Sequence, residues 1–584
     1  MRGRPLIAPR FRPHNMLPGV VPFPPEFAAR YRASGYWEYR SIASVWEDYC
    51  RQYANRIAVI DGEIHARYAD IDARAANLAL NLLDLGLKPL DRLVVQLPNR
   101  MQFVYLYLAL QKIGAIPVMA LSAHRYLEIS QFVQIAGAVA CVMPDKHRDF
   151  DFRALVRRIQ KEQPQLKHGI VLGEAAEGFA SLDALIKEKS QRNPTDLARI
   201  RIDPTDPALF LLSGGTTGVP KLIPRTHNDY VYNSKMAGSV TGIDEDSVLL
   251  NVLPISHNLP LACPGLQGFL FKGAKVVLST DVSPENVFRL VEKHKVTHIH
   301  VVPALLIRWI NDAAIGNYDL SSLRVIQSGG QRLQPEIRTK TQELIPSVMV
   351  QENFGMAEGV LMFVRLDDPP DVRLETVGRP ICPDDEIMLL DDDDRLVSFG
   401  ETGEFCCRGP YTLRGYYGAP EHNKRAFTPD GFYRSGDLMR QHRSGNYMVE
   451  GRKKDLINRG GEKISAEEIE NLILSHEAVE NVACVPVPDS QLGERMCACL
   501  VLRPGRELSF DELIEFLETK EMAKIKLPER LLVLDELPLS NFGKVSKKKL
   551  SEIAAEHALA RIRLAPAGGE GPGEGEIHPP PKRN

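Results

Sequence analysis

Between about Ser41 and Phe363, short apolar runs recur with helix-like segments between them: Arg92–Leu97, Val139–Met143, Leu249–Leu253, Lys275–Leu278, Thr297–Val302, Arg324–Gln327 and Val348–Gln351. Each is rich in Val, Ile or Leu and is flanked by helix-like segments. That is the pattern of strands covered on both sides, so the rhythm predicts an α/β architecture with largely parallel sheets. The longest apolar stretch, Val104 to Ala123, is broken by Gln111 and Lys112. It predicts a buried helix followed by a strand and not a membrane span. Ligands in such folds gather at the carboxyl ends of strands. Ser328-Gly329-Gly330 and Asn353-Phe-Gly-Met-Ala-Glu358 stand at two of these ends and are expected as loops.

From Glu386 to Glu450 the texture shifts to short strands separated by turns, which predicts a small β-rich subdomain. The acidic run Asp391–Asp394 within it reads as a solvated turn and not a metal site. After Gly451-Arg-Lys-Lys-Asp455 comes a compact α+β unit with helices near Glu467–Leu474 and Phe510–Lys520. The expected organisation is a large N-terminal domain over 1–451 made of α/β subdomains plus the β-rich one at about 386–450, and a small α+β domain over 452–560. A disordered tail is expected over 561–584, where glycine, glutamate and proline leave little apolar content.

At 584 residues the chain exceeds what one core organises, and its net charge of −3 with 44% hydrophobic residues gives no electrostatic pull toward nucleic acid or an anionic membrane. The nine cysteines are scattered without a C-x-x-C pair, which points to reduced thiols in a cytoplasmic setting. Arg2, Arg4, Arg10 and Arg12 are followed by no apolar stretch of the kind a secretory signal needs.

The chemistry concentrates in Leu212-Ser-Gly-Gly-Thr-Thr-Gly-Val-Pro-Lys221. Gly214, Gly215 and Gly218 let backbone N–H groups approach an anion, Ser213, Thr216 and Thr217 add hydroxyl donors, and Lys221 adds a point charge. The spacing is not that of a Walker A loop, because Pro220 stands where its second glycine belongs and Leu222 follows the lysine. Leu222-Ile-Pro224 reads as extended, so the loop is expected to join two strands, with a helix starting near Thr226 and capped with Asp229. A second lysine, Lys544, sits in the Gly-containing turn Pro538-Leu-Ser-Asn-Phe-Gly-Lys-Val545. With Glu358 as an oxygen ligand suited to Mg²⁺, Asp437 as a ribose partner and Arg452, these residues suggest ATP held against a carboxylate.

The segments Arg225-Thr-His-Asn-Asp-Tyr230, His257-Asn-Leu-Pro-Leu-Ala-Cys-Pro-Gly265, Asn353-Phe-Gly-Met-Ala-Glu-Gly359 and Asn458-Arg-Gly-Gly-Glu-Lys-Ile464 resemble the adenylate-forming superfamily. They are most similar to stand-alone aryl acid AMP ligases, such as the 2,3-dihydroxybenzoate and salicylate enzymes of siderophore assembly. The resemblance runs from about Pro22 to Leu550. It implies a two-domain fold with a mobile C-terminal domain, ATP and Mg²⁺ as cofactors, an aryl acid substrate, and the phosphopantetheine thiol of an aryl carrier protein, or CoA, as acceptor.

Residue by residue, the resemblance implies that Ser213 to Lys221 bind the β/γ-phosphates and Glu358 holds Mg²⁺. Gly330, Asn353 and Phe354 flank the adenine, and Asp437 takes the ribose hydroxyls with help from Arg452. Lys544 bridges carboxylate and α-phosphate, and Lys454 is the hinge that opens a thiol tunnel past Gly460-Gly461. Lys221, His257 and Lys544 form the implied catalytic set; Asn258, Leu259, Cys263, Ser328, Gly329 and Leu361 form the acid-binding set. Cys263 is similar to the salicylate type, where dihydroxybenzoate enzymes have serine, and Leu259 and Leu361 replace an aromatic residue and a valine. Three readings stay open: an aryl acid AMP ligase that loads a carrier protein, an acyl-CoA ligase, and a noncatalytic nucleotide-binding protein.

Overall fold

Strands rich in β-branched residues and helices with one apolar stripe organise the chain into layered sheets, as the hydrophobic rhythm predicts. The computed structural model describes residues 17–147, 150–213, 220–330, 332–459, 462–489, 492–520, 524–539 and 545–564. They form two compact units: one of Met1–Val282, Met356–Val360 and Gly409–Tyr433, the other of Ser283–Gly355, Leu361–Arg408 and Arg434–Asn584.

The first unit carries a seven-stranded sheet in the order Leu222–Thr226, Pro207–Leu212, Ile116–Met119, Arg92–Val95, Ala140–Pro144, His168–Leu172, Ala180–Ser181. Every neighbour pair is parallel except the first, an antiparallel pair. Val94, Val118, Phe132, Phe152 and Phe210 build the core against it. Helix Met101–Ile113 and strand Ile116–Met119 occupy the long apolar stretch, as expected. Gln111 is buried inside and donates to Ala208 O at 3.0 Å, so an apparent polar interruption is a satisfied core residue. The same unit holds the run Val248–Asn251, Lys275–Leu278, Ile57–Asp61, parallel throughout, with Ile64–Arg67 antiparallel at the edge.

In the second unit His298–Val301, Val325–Gly329 and Met349–Met356 lie parallel. Two expected loops are strand instead. Ser328 and Gly329 belong to Val325–Gly329, and Asn353–Met356 continue Met349–Met356, because each keeps pairing with its neighbour where turn residues had signalled a break. The β-rich stretch forms a four-stranded sheet of Glu386–Leu390, Thr402–Arg408, Tyr433–Gln441 and Tyr447–Arg452. Asp391 Oδ1 accepts from the backbone N–H of Asp393 at 2.8 Å and Arg395 at 2.9 Å, so the acidic run is a side-chain-capped turn.

The last part of the unit is a five-stranded sheet whose long hairpin pairs Val479–Asp489 with Gly493–Leu502. Helices Ala466–Leu474 and Phe510–Glu518 cover one face, started by Ser465 and by a Ser509/Glu512 capping box. Leu550 and Ala554 of helix Lys547–Leu564 pack on a second cluster with Val485, Cys497 and Leu532. That helix runs four residues past the point where the tail was expected at 561, since Ala558-Leu-Ala-Arg-Ile-Arg-Leu564 is made largely of good helix formers. Residues 565–584 lie outside the described ones. All nine cysteines are buried and none is in a disulfide, and among the described residues no helix is long and apolar enough to cross a membrane.

One buried ion pair anchors the second unit beside Asn353. Arg338 pairs with Glu352, both 2% exposed, and Glu352 Oε1 also accepts from Leu333 N at 3.0 Å. Removing the guanidinium strands a carboxylate that burial already pushes above the usual range. Arg338→Met is expected to destabilise the protein by about 3–5 kcal/mol at neutral pH. Because the stranded group has a raised folded-state pKa, the loss shrinks as pH falls toward the ordinary glutamate value. Thermal unfolding of both proteins across pH checks this, and equal midpoints at neutral pH refute it.

Candidate active site

The loop from Ser213 to Lys221 spans the end of an antiparallel pair in which Leu212 faces Leu222. Its base is closed by Ser213 N donating to Lys221 O at 3.1 Å and by Lys221 N donating to Ser213 Oγ at 3.3 Å. Gly214, Gly215, Thr216, Thr217 and Gly218 lie outside the described residues. The following helix, His227–Val240, starts at Thr226 with Asp229 completing the capping box, as the sequence predicts. Asp229 also takes the buried Arg225, whose Nε donates to Oδ1 at 2.9 Å. The same guanidinium reaches the carbonyls of Ala357 at 3.0 Å and Tyr411 at 3.3 Å.

Glu358 is thereby brought into the first unit with Lys221. A side chain at Gly359 would meet Thr412 at 2.6–2.8 Å, so this glycine allows the close approach, and Leu413 N donates to Glu358 O at 2.7 Å. Tyr416 donates its hydroxyl to Glu358 Oε1 at 2.8 Å and stands 2.9 Å from the hydroxyl of Tyr433. Burial pushes the Tyr416 phenol far above its usual range, which keeps it a donor. His422 lies edge-on to Tyr416 at 5.0 Å; burial first, then the charges of Lys221 and Arg425, lowers its pKa and leaves the ring neutral. Tyr416, Tyr433 and His422 were not singled out from sequence, since nothing local links them to a carboxylate about sixty positions away. Among the described residues no group of three or more His, Cys, Asp or Glu could hold a metal. One carboxylate with waters and phosphate oxygens suits Mg²⁺, so Glu358 fits that ion without a protein cage.

A second cluster of the same unit forms around helix Asn258–Ala262, for which His257 is the N-cap residue and whose Leu259 is half-buried. Asn258 Oδ1 accepts from Tyr230 Oη at 3.0 Å and from Cys263 Sγ at 3.3 Å, while its Nδ2 faces Met356 O at 3.5 Å. Asn233 Nδ2 donates to Cys263 Sγ at 3.2 Å. Burial holds the Cys263 thiol up at about 12, so it keeps its hydrogen at neutral pH. Asn233 and Tyr230 were missed from sequence because they face Cys263 from a different helix.

In the second unit Gly329 lies opposite Asn353 in register. A Cβ on Gly329 would come 2.3 Å from Asn353 Oδ1, so the glycine is needed for that side chain to lie across the strand. Gly330 follows at φ +87°, a conformation natural to glycine. Phe354 packs edge-on against Phe405 at 5.7 Å, and Leu361 is buried in strand Gly359–Phe363. Asp437 faces Arg452 across two strands, with Oδ1 accepting from Arg452 Nε at 2.7 Å. Among the described residues, the buried Ser328 Oγ, Asn353 Nδ2 and Asp437 Oδ2 find no hydrogen-bond partner. An amide donor suits an aromatic ring nitrogen and a free carboxylate oxygen suits sugar hydroxyls, so these residues fit a nucleoside. Lys454 lies in the short 3-10 turn Lys453–Asp455, its side chain outside the description, and Lys544 lies outside the described residues.

A family model described as AMP-binding enzyme matches residues 46–417, and one for the AMP-binding enzyme C-terminal domain matches 468–544. A salicylyl-CoA synthase / salicylate adenylyltransferase from Streptomyces sp is 47% identical over 92% of this chain and 97% of its own length. A salicyl-AMP ligase / salicyl-S-ArCP synthetase from Mycobacterium tuberculosis is 43% identical over 92% of this chain and 95% of its own length. The apo structure of MbtA from Mycobacterium smegmatis is 41% identical, superposes with a TM-score of 0.70, and covers 91% of this chain and 98% of that one.

Gly329→Ala is expected to displace Asn353 and weaken ATP binding by roughly 5- to 150-fold, the range that an inserted methyl costs in a packed site. Calorimetric titration with ATP measures it. Unchanged affinity would show that Asn353 does not touch the nucleotide.

Proposed function

The chain belongs to the AMP-binding enzyme family, and from that membership we propose that it activates a salicylate-like aryl acid and passes it to a thiol. A carboxylate oxygen attacks the α-phosphorus of ATP and pyrophosphate leaves. A thiolate sulfur then attacks the acyl carbon and AMP leaves. The reading assigns Ser213, Lys221 and the loop between them to the phosphates, Asn353 and Phe354 with Gly330 to the adenine, Asp437 and Arg452 to the ribose, and Asn258, Leu259, Cys263, Ser328, Gly329 and Leu361 to the acid. His257 shapes the region near the nucleotide. Mg²⁺ held by Glu358 would neutralise charge on the phosphates. Lys544 would meet the developing charge at the α-phosphate, and Lys454 would be the hinge for the domain from 452 onward, rotating between the two half-reactions.

The observation that carries this reading is the Asn258 amide, held beside Cys263 in a chain similar over nearly its whole length to salicylate-activating enzymes. ATP–pyrophosphate exchange with a panel of aryl acids tests it, and no exchange with any of them would overturn it. The acceptor is proposed to be the phosphopantetheine of an aryl carrier protein, in a cytoplasmic enzyme. A second reading, transfer to CoA, is favoured by the CoA product in the name of the Streptomyces relative. Supplying CoA and holo carrier protein in turn separates the two.

Lys544→Ala is expected to slow adenylation at least ~10²-fold, the scale for losing one positioned electrostatic group. Thioester formation from supplied aryl adenylate should change far less, and equal losses in the two half-reactions would remove the assignment.

Cys263 also sets a preference. Its hydrogen is already donated to Asn258 and its sulfur already accepts from Asn233, so a 3-hydroxyl placed there finds a poor partner. Salicylate is expected to exceed 2,3-dihydroxybenzoate in kcat/KM by about 5- to 150-fold, with Cys263→Ser shifting the ratio toward the dihydroxy acid. The reverse preference in the unmodified enzyme would refute this pocket reading and leave the ligase assignment standing.

A further inference from the structure

The hydrogen-bonding capacity of Asn258 is committed on one side only. A side-chain amide oxygen has two lone pairs, and here both are taken, one by the Tyr230 hydroxyl and one by the Cys263 thiol. The amide cannot be turned over, because its oxygen would then face the carbonyl oxygen of Met356, which accepts hydrogen bonds and cannot donate. Asn258 is half-buried and retains a second N–H beyond the one aimed at Met356. Toward a ligand it can donate and cannot accept.

The arrangement behind it is equally fixed. Gln267 Nε2 donates to Tyr230 O at 3.1 Å, a carbonyl that settles which end of that amide is nitrogen, and to Ser234 Oγ at 2.8 Å. Gln267 Oε1 accepts from Tyr107 Oη at 2.7 Å. Ser234 Oγ lies 2.8 Å from Tyr230 O and 3.2 Å from Asn233 Oδ1, and Asn233 in turn donates to Cys263. Asn233, Ser234, Tyr230 and Gln267 are all buried, so no water is at hand to replace a lost partner.

We infer that Tyr230, directly, and Asn233, through the Cys263 thiol it holds, are specificity-positioning residues, which lock Asn258 as a donor and so select aryl acids carrying a hydrogen-bond acceptor ortho to the carboxylate. The inference rests on the aryl acid reading above and adds a direction to it. In a 2-hydroxy acid the phenolic hydrogen turns to the adjacent carboxylate and leaves an oxygen lone pair outward, matched to Asn258 Nδ2. A ring nitrogen at the same position offers a lone pair as well. An ortho amine turns one N–H to the carboxylate and aims the other at the amide N–H, with its lone pair drawn into the ring, so donor meets donor.

Pyrophosphate exchange with salicylate, picolinate, benzoate and anthranilate tests the inference on the unmodified enzyme. Salicylate and picolinate are expected above benzoate, and anthranilate at least about tenfold below salicylate in kcat/KM, the scale of one unmatched buried polar contact. Tyr230→Phe keeps the ring and frees one lone pair on Asn258, so the anthranilate-to-salicylate ratio should rise severalfold; Cys263→Ala frees the other lone pair and should act in the same direction. Anthranilate matching salicylate in the unmodified enzyme would overturn the inference, as would two folded variants that leave the ratio unchanged. Exchange with none of the four acids or any other aryl acid would overturn the function itself, an outcome distinct from loss of selectivity among active substrates. If a variant fails to fold, the panel on the unmodified enzyme still decides.

Discussion

The first unit depends on Arg225. A guanidinium buried without partners is untenable, so it needs acceptors, and the chain supplies three: one four residues on, at the helix start, and two far away in sequence. Asp229 takes one edge and thereby caps helix His227–Val240; the carbonyls of Ala357 and Tyr411 take the others. Its flat face lies 5.0 Å from the centre of the Tyr230 ring. One side chain thus ties the strand Leu222–Thr226 to the segment bearing Glu358, to the segment bearing Tyr416 and to the tyrosine bonded to Asn258. The need to satisfy a buried charge is what gathers Lys221, Glu358 and Asn258 into one unit.

The polar groups of the two units are of two kinds. Around Asn258 the contacts are saturated: every lone pair on the oxygen is used, and Asn233, Ser234, Gln267 and Tyr107 hold one another. Such a closed network fixes orientation, because moving one member leaves a buried neighbour unpaired at a cost of about 1–3 kcal/mol. In the second unit the opposite holds, with Ser328 Oγ, Asn353 Nδ2 and Asp437 Oδ2 buried and without a partner among the described residues. A chain keeps such groups against that same penalty where something else repays it, and a nucleoside has the donors and acceptors to do so. Saturated groups direct; unsaturated ones wait for a ligand.

Much of this was legible in the sequence where the signal was local. The apolar runs located the parallel strands within a residue or two, except that Val348–Gln351 stopped five residues short of its strand end at Met356, and Thr226 with Asp229 marked the helix start because a capping box lies within four residues. The acidic run at 391–394 was correctly a turn for the same reason. Glycines misled at Ser328–Gly330 and Asn353–Glu358. They looked like strand endings, whereas Gly329 stays in the strand to admit the Asn353 side chain. The partners of Glu358 and Cys263 could not be read at all. Tyr416, His422 and Asn233 stand in no quoted motif, Tyr230 ends one without a role assigned to it, and only folding brings them to the residues beside them.

Titration in this neighbourhood is arranged to avoid change near neutral pH. Cys263 is held up at about 12 by burial, and burial raises the Tyr230 and Tyr416 phenols well above 10. Each is therefore a hydrogen-bond donor throughout the physiological range. His422 moves the other way, its lowered pKa leaving it neutral, so Lys221 is not opposed by a second cation beside it. The polarity presented to Asn258 and Glu358 is thus set by burial and not by pH. On the proposed function, such a site would meet its acid with fixed donors, and the charge that varies would belong to the substrates.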